Sequence, residues 1–330
     1  MAWRKSAAPD PISFISVRHT KGMNNVMKFF VCFLCACALI GGGAAVCLLG
    51  RTADTPYAAT ESVGHEHGAR VLPHEERELA VVMYHNILKS RKGTYIVSPT
   101  QLEADLAAFA EAGYETVFPS DVVDFVYGDG ELPESPLLLT FDDGRYNNMY
   151  YGLPLLEKYD AKAAFFPVGA FSEFSESSGD HSNPNYSHIT WTQFGELSGS
   201  GRVEAGSHSY DMHRYSPRFG IKRMEGESDA AYRRALCEDA GRMQDKLLAA
   251  TGKLPVAYAY PFGEYSDEAL TVLRSFGLKI FFTCNEGVSR IRRGAPETLF
   301  EVKRVNRAGN MSTEQLLGVL QRSASRTARR

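Results

Sequence analysis

The chain has 330 residues, 44% of them hydrophobic, and sets 36 Lys and Arg against 39 Asp and Glu for a formal charge of −3. That length supports a sizeable buried core, and the near-neutral balance excludes the strongly basic face of a dedicated nucleic-acid binder. An aromatic content of 11% with only 23% charged residues excludes disorder over most of the chain.

The first element is an uncharged run, FFVCFLCACALIGGGAAVCLLG at residues 29–50. It is long enough to cross the roughly 30 Å hydrocarbon core of a bilayer as one helix. Arg4, Lys5, Arg18, Lys21 and Lys28 precede it with the single acid Asp10, whereas Arg51, Asp54, Glu61 and Glu66 follow it. The positive-inside bias therefore predicts a cytoplasmic segment 1–28, a single transmembrane helix at 29–50 and an exported remainder, a single-pass protein of the cell membrane. A start at Met23 or Met27 would make the run resemble a signal peptide, but its apolar core is longer than such signals usually have. Cys32, Cys35, Cys37 and Cys47 lie in this run, which leaves Cys237 and Cys284 as two buried, inert thiols. Residues 51–78 are polar and carry His65, His67 and His74, the composition of a linker.

Beyond the linker, short apolar runs recur: VVMY (81–84), LLLTF (137–141), AAFFPV (163–168), VEAGS (203–207), VAYAY (256–260) and IFFT (280–283). Each has the length of a buried strand. Helical patterns separate them. Ser98, Pro99 and Gln101 form a capping box ahead of Leu102, Leu106 and Phe109, with Gly113 as the stop. Tyr232, Leu236, Ala240, Met243 and Leu247 lie on one face of a second helix that ends at Gly252, and Ser266 caps a third bearing Leu270, Leu273 and Phe276. Residues 172–187 are a polar insertion, and the arginine-rich end from Gly318 is a frayed helix. Alternating strands and helices predict a parallel α/β domain over 79–312, barrel or open sheet, followed by a basic tail at 313–330.

Three strand ends carry chemistry. The run LLLTF ends in Asp142, Asp143 and Gly144, and side chains at the C-termini of parallel strands open into an active-site mouth. Alone, D-D-G reads as a turn. His208 and His213 follow VEAG five residues apart, and two imidazoles with one carboxylate make the ligand set of an open catalytic zinc site. Tyr260, Pro261, Phe262 and Gly263 follow VAYAY, where an aromatic-Pro-aromatic turn can offer N–H groups and an apolar wall to a sugar.

Together and in this order, the motifs resemble those of the polysaccharide deacetylase family, the NodB-homology domains of carbohydrate esterase family 4. T-F-D-D-G at 140–144, H-S-x-x-x-H at 208–213 and Y-P-F-G at 260–263 match its three motifs. V-M-Y-H at 82–85 and H-I-T-W at 188–191 look like the branch of exported exopolysaccharide de-N-acetylases. The resemblance implies a distorted (β/α) barrel and a hydrolase that removes N-acetyl or O-acetyl groups from an extracytoplasmic polysaccharide. One divalent ion is implied, zinc ahead of cobalt, nickel or iron, with Asp143, His208 and His213 as its ligands. Asp142 is then the general base and Phe262 N–H an oxyanion donor, within a substrate-facing turn of Tyr260, Pro261 and Phe262. Two features depart from the family. The arginine that often precedes the third motif has no counterpart at Ala259, and no histidine follows His213 to serve as general acid. His85, directly after VVMY, is the candidate for that acid, with an orienting role as its alternative. A non-catalytic glycan-binding relative and a glycosidase using Asp142 with a second carboxylate are the competing readings.

Overall fold

The computed structural model describes residues 75–328 apart from 91. The expectations for residues 1–28, the apolar span 29–50 and nearly all of the linker 51–78 lie outside the described residues. Among those described, no helix is long and apolar enough to cross a membrane.

The chain runs through β1 (Glu76–Tyr84), β2 (Asn86–Ile87), β3 (Ile96–Val97), α1 (Pro99–Glu111), β4 (Glu115–Thr116), α2 (Pro119–Tyr127) and β5 (Pro136–Asp143). Then follow α3 (Leu153–Lys158), β6 (Ala163–Pro167), α4 (Gly169–Ser178), α5 (Trp191–Gly199), β7 (Val203–Ala205) and α6 (Asp229–Thr251). The last part holds β8 (Ala257–Ala259), α7 (Asp267–Ser275), β9 (Ile280–Phe282), β10 (Ser289–Arg292), β11 (Val305–Asn306) and α8 (Thr313–Ala328). All six apolar runs are strands.

Pairing closes the strands into a ring. β1 is parallel to β5, β5 to β6 and β6 to β7. A bridge from Ser207 to Tyr258 leads to β8, which is parallel to β9, and a second bridge joins Phe282 to Val302. The next strand, β11, is parallel to β1. The result is the distorted α/β barrel. Along each strand, side chains point alternately to opposite faces. Leu79, Val81, Leu138, Ala164, Phe166, Ala257, Ala259, Ile280 and Phe282 fill one cluster within the ring. Ala80, Val82, Leu137, Leu139, Phe141, Ala163 and Phe165 pack outward in a second cluster with apolar residues of α1, α5, α6 and α8. Strands buried on both faces must be apolar at nearly every position, which explains the continuous runs in the sequence.

The helix signals hold in detail. Ser98 and Gln101 form the capping box of α1, Ser228 caps α6, and Gly252 ends α6 with a left-handed φ of 73°. In α7 Leu273 and Phe276 of the expected stripe are buried, joined by Ala269 and Val272, while Leu270 is half-buried.

Four expectations need correction. β1 begins at Glu76, inside the expected linker, because β10 pairs with its first residues, Glu76 opposite Arg292. The polar stretch 172–187 is helical to Ser178, since α4 buries only small residues such as Ser172 and Ser175 and shows no apolar stripe. The tail does not start free: Leu316 and Leu320 of α8 are fully buried against the barrel. Cys237 is half-buried and Cys284 exposed, neither in a disulfide, the latter because it follows β9 at the open end of the barrel.

Candidate active site

Two neighbouring strand residues point to opposite faces, so Asp142 and Asp143 can serve one site only if the backbone turns between them. It does: Asp143 has a left-handed φ of 67° and Gly144 follows at 63°. Gly144 is required there, because a Cβ would come within 2.9 Å of Pro167 Cα. The turn is tied to the H-I-T-W segment, with Ile189 N–H donating to Gly144 O (2.8 Å) and Tyr146 N–H to Ser187 O (3.0 Å). This brings the His188 ring to 4.8 Å from Phe171, which also faces His213. Burial, reinforced by the positive charge of Arg145, holds the His188 pKa down at about 4.

His208 follows β7 and is buried. Its Nδ1 lies 2.7 Å from Ala259 O. Burial lowers its pKa to about 4, so the ring is neutral. The hydrogen bond assigns the proton to Nδ1, which donates to the carbonyl and leaves the Nε2 lone pair directed at Asp143. His208 Nε2 and His213 Nε2 lie 3.8 and 3.4 Å from Asp143 Oδ1. One ligand atom from each of the three residues falls within 4.8 Å of the others. Asp143 Oδ1 is buried without a hydrogen-bond donor. A bare carboxylate oxygen between two imidazole nitrogens is what a divalent cation would satisfy, so the residues present fit the metal implied by the family.

Asp142 is 1% exposed and in phase with Leu138 and Thr140, facing the inside of the barrel. Its Oδ1 accepts from Arg304 Nη1 at 2.9 Å. Burial pushes its pKa up, but the Arg304 guanidinium, helped by His208 and His85, outweighs that and holds it at about 2. Arg304 is itself buried and anchored by Nε to Thr283 O at 2.9 Å. No motif in the sequence marks it, since it lies 162 residues from Asp142. Its only local signal is strand phase, two residues beyond inward-facing Val302.

His85 lies at the end of β1, edge-on to Tyr95 with ring centroids 4.7 Å apart. Its Nδ1 is buried without a partner, and burial lowers its pKa against the pull of Asp142 and Asp143. In the third motif, Gly263 N–H donates to Tyr260 O (2.8 Å) and Glu264 N–H to Pro261 O (3.2 Å), leaving the Phe262 N–H at the start of the turn. The Phe262 ring is 4.4 Å from His213 and stacks on Phe219 and Tyr215. Tyr260 does not join this wall. It is fully buried, stacked on Tyr265 and Phe281, because it shares the phase of Tyr258 toward α7. Pro261 is buried as well.

The family profile described as polysaccharide deacetylase matches residues 129–281. The chain is 25% identical over 306 residues to a poly-β-1,6-N-acetyl-D-glucosamine N-deacetylase of Escherichia coli K12, covering 84% of this chain and 43% of the relative. A Staphylococcus aureus protein of the same name is 28% identical over 160 residues, 48% of this chain and 50% of that one. The chain therefore spans less than half the length of the E. coli relative. Among solved structures, IcaB from Ammonifex degensii superposes with a TM-score of 0.60 at 27% identity, over 74% of this chain and 97% of that one. The Streptococcus pyogenes deacetylase PplD shares the fold, with a TM-score of 0.58 at 24% identity over 74% of this chain and 99% of that one.

Proposed function

We propose that this chain, which belongs to the polysaccharide deacetylase family, is a metal-dependent hydrolase that removes N-acetyl groups from an exported polysaccharide. Poly-β-1,6-N-acetylglucosamine is the first substrate to test, because it is named for the relatives in E. coli and S. aureus. The observation that carries the reading is the bare Asp143 Oδ1 between two histidine nitrogens, beside a second carboxylate with unused acceptor capacity. A glycosidase would leave that histidine pair idle.

A divalent ion held by Asp143, His208 and His213, zinc by preference, would polarise the acetyl oxygen and lower the pKa of a water from 15.7 to about 7. Asp142 stays ionised at neutral pH and is the base that takes the proton of the attacking water, on the oxygen that Arg304 leaves open. The Phe262 N–H donates to the developing oxyanion. Phe262 and Tyr215 form the apolar wall beside His213. Burial keeps His85 neutral, which favours an orienting or substrate-bonding role for its free Nδ1 over that of a standing acid. Asp142, protonated by the first step, is then the group that hands a proton to the departing amine. The charge-free span 29–50 and the basic residues before it support a domain tethered to the outer face of the cell membrane.

The test is acetate release by the full chain from poly-β-1,6-N-acetylglucosamine. Release should stop in chelator, return with zinc, and be lost together with zinc binding in His208→Ala and His213→Ala. Glycan binding without acetate would favour the non-catalytic reading, and new reducing ends without acetate the glycosidase.

A further inference from the structure

His208 and His213 stand at the two ends of a loop whose intervening residues form no helix or strand. Two side chains can share one ion only if this backbone keeps its path, and Ser209 already holds a left-handed φ of 69° within it. One side of the loop is fixed by the start of α4, where Gly169 N–H donates to Ser209 O (3.1 Å) and Ala170 N–H to Tyr210 O (2.6 Å). Met212 N–H closes on the Ser209 hydroxyl within the loop (3.1 Å), and two other N–H groups of the loop turn toward α6. Tyr210 N–H donates to Asp239 Oδ1 at 2.9 Å, and Asp211 N–H to Asp239 Oδ2 at 2.7 Å. One residue of the barrel's outer layer thus grips two consecutive peptide groups midway between the histidines. Arg242, three residues further along α6, lies 3.9 Å over the Tyr210 ring and presses on the same stretch.

We propose that Asp239 is a positioning residue: its two carboxylate oxygens hold the 208–213 backbone so that His208 and His213 meet Asp143 in metal-binding geometry. The proposal rests on the reading that these three residues hold a divalent ion. Burial pushes the Asp239 carboxyl up to about 6, although the N–H groups of Asp211 and Tyr210 pull it down. A carboxyl raised in this way binds protons more readily in the folded than in the unfolded chain, so its charged form lowers fold stability at neutral pH.

The two roles separate in one experiment on the full chain. Zinc affinity is measured by competition with a chromophoric chelator, and the thermal midpoint on zinc-free protein, for wild type, Asp239→Asn and Asp239→Ala. Loss of an outer partner of metal ligands weakens affinity by about 10- to 100-fold. That fall is expected in both variants, larger in Asp239→Ala because Asn keeps one acceptor, with the zinc-free midpoint unchanged or raised. Wild-type affinity in both variants overturns the proposal, as does a loss of affinity matched by a comparable loss of zinc-free stability in Asp239→Asn. Asp239→Asn decides alone if the alanine variant does not fold. If the variants lose zinc while wild type binds it without releasing acetate, only the proposed function falls. If wild type releases acetate and the variants bind zinc normally, only the role of Asp239 falls.

Discussion

Two arginines three residues apart, Arg304 and Arg307, are both 1% exposed and both paired with a buried aspartate, yet the two pairs are built differently. Asp105 is saturated. Its Oδ1 accepts from Arg307 Nη2 (3.0 Å) and the Thr313 hydroxyl (2.6 Å), and its Oδ2 from Arg307 Nε (2.6 Å) and the Tyr84 hydroxyl (3.0 Å). Asp142 receives one bond, from Arg304, whose Nε goes to a backbone carbonyl instead. A carboxylate with every lone pair engaged cannot take a proton without breaking bonds, whereas one held by a single charge-assisted bond stays ionised and keeps room for a proton. The number of donors on the acceptor, more than the type of ion pair, separates a clamp joining β1, α1 and α8 from the carboxylate proposed as the base.

Substituting each carboxylate puts this contrast at risk. The largest effect belongs to Asp142→Asn. Turnover should fall by about 10²- to 10⁴-fold, the usual worth of a general base, with zinc still bound. Wild-type acetate release from this variant would remove Asp142 from the chemistry and with it the contrast. Asp105→Asn should do the reverse. Stranding the buried Arg307 charge should lower the unfolding free energy by about 3–5 kcal/mol, read by urea titration, while acetate release per folded molecule is retained. A drop in turnover at unchanged stability would show that the two pairs are not separate devices.

The contrast also explains what could be read from the sequence. The cluster of Asp143, His208 and His213 was legible because D-D-G and H-x-x-x-x-H put its members within a few residues of one another at the ends of apolar runs. Arg304 was not, because it lies 162 residues from Asp142 and reaches it only through closure of the barrel, on a segment whose strand is two residues long. The third motif was located correctly but its tyrosine was aimed wrongly. In VAYAY the alternation sends Ala257 and Ala259 into the barrel and Tyr258 and Tyr260 toward α7, a phase that was present in the letters. Asp239 reads as an unremarkable polar residue beside Ala240, since no helical period shows which backbone a carboxylate will grip.

The smallest expected effect is on acid stability, and its sign follows from the direction of each shift. Asp142 is held at about 2 against an ordinary 3.8: burial pushes it up, and Arg304 more than reverses that. A depressed carboxyl stabilises the fold above its unfolded value, and that contribution fades as pH falls from about 3.8 to about 2, roughly 2 kcal/mol in all. The His208 imidazole is held at about 4 against 6.5, chiefly by burial, so its contribution is whole above 6.5 and fades as pH falls toward 4. Zinc-free protein should therefore lose stability in two successive windows on acidification, measured by urea unfolding at a series of pH values. Asp142→Asn should flatten chiefly the lower window, whereas His208→Gln should shrink the upper one without abolishing it, because His188, also held at about 4, contributes there. An unchanged lower window in Asp142→Asn would mean that Arg304 does not hold that carboxylate ionised, and the base would lose the feature that sets it apart from Asp105.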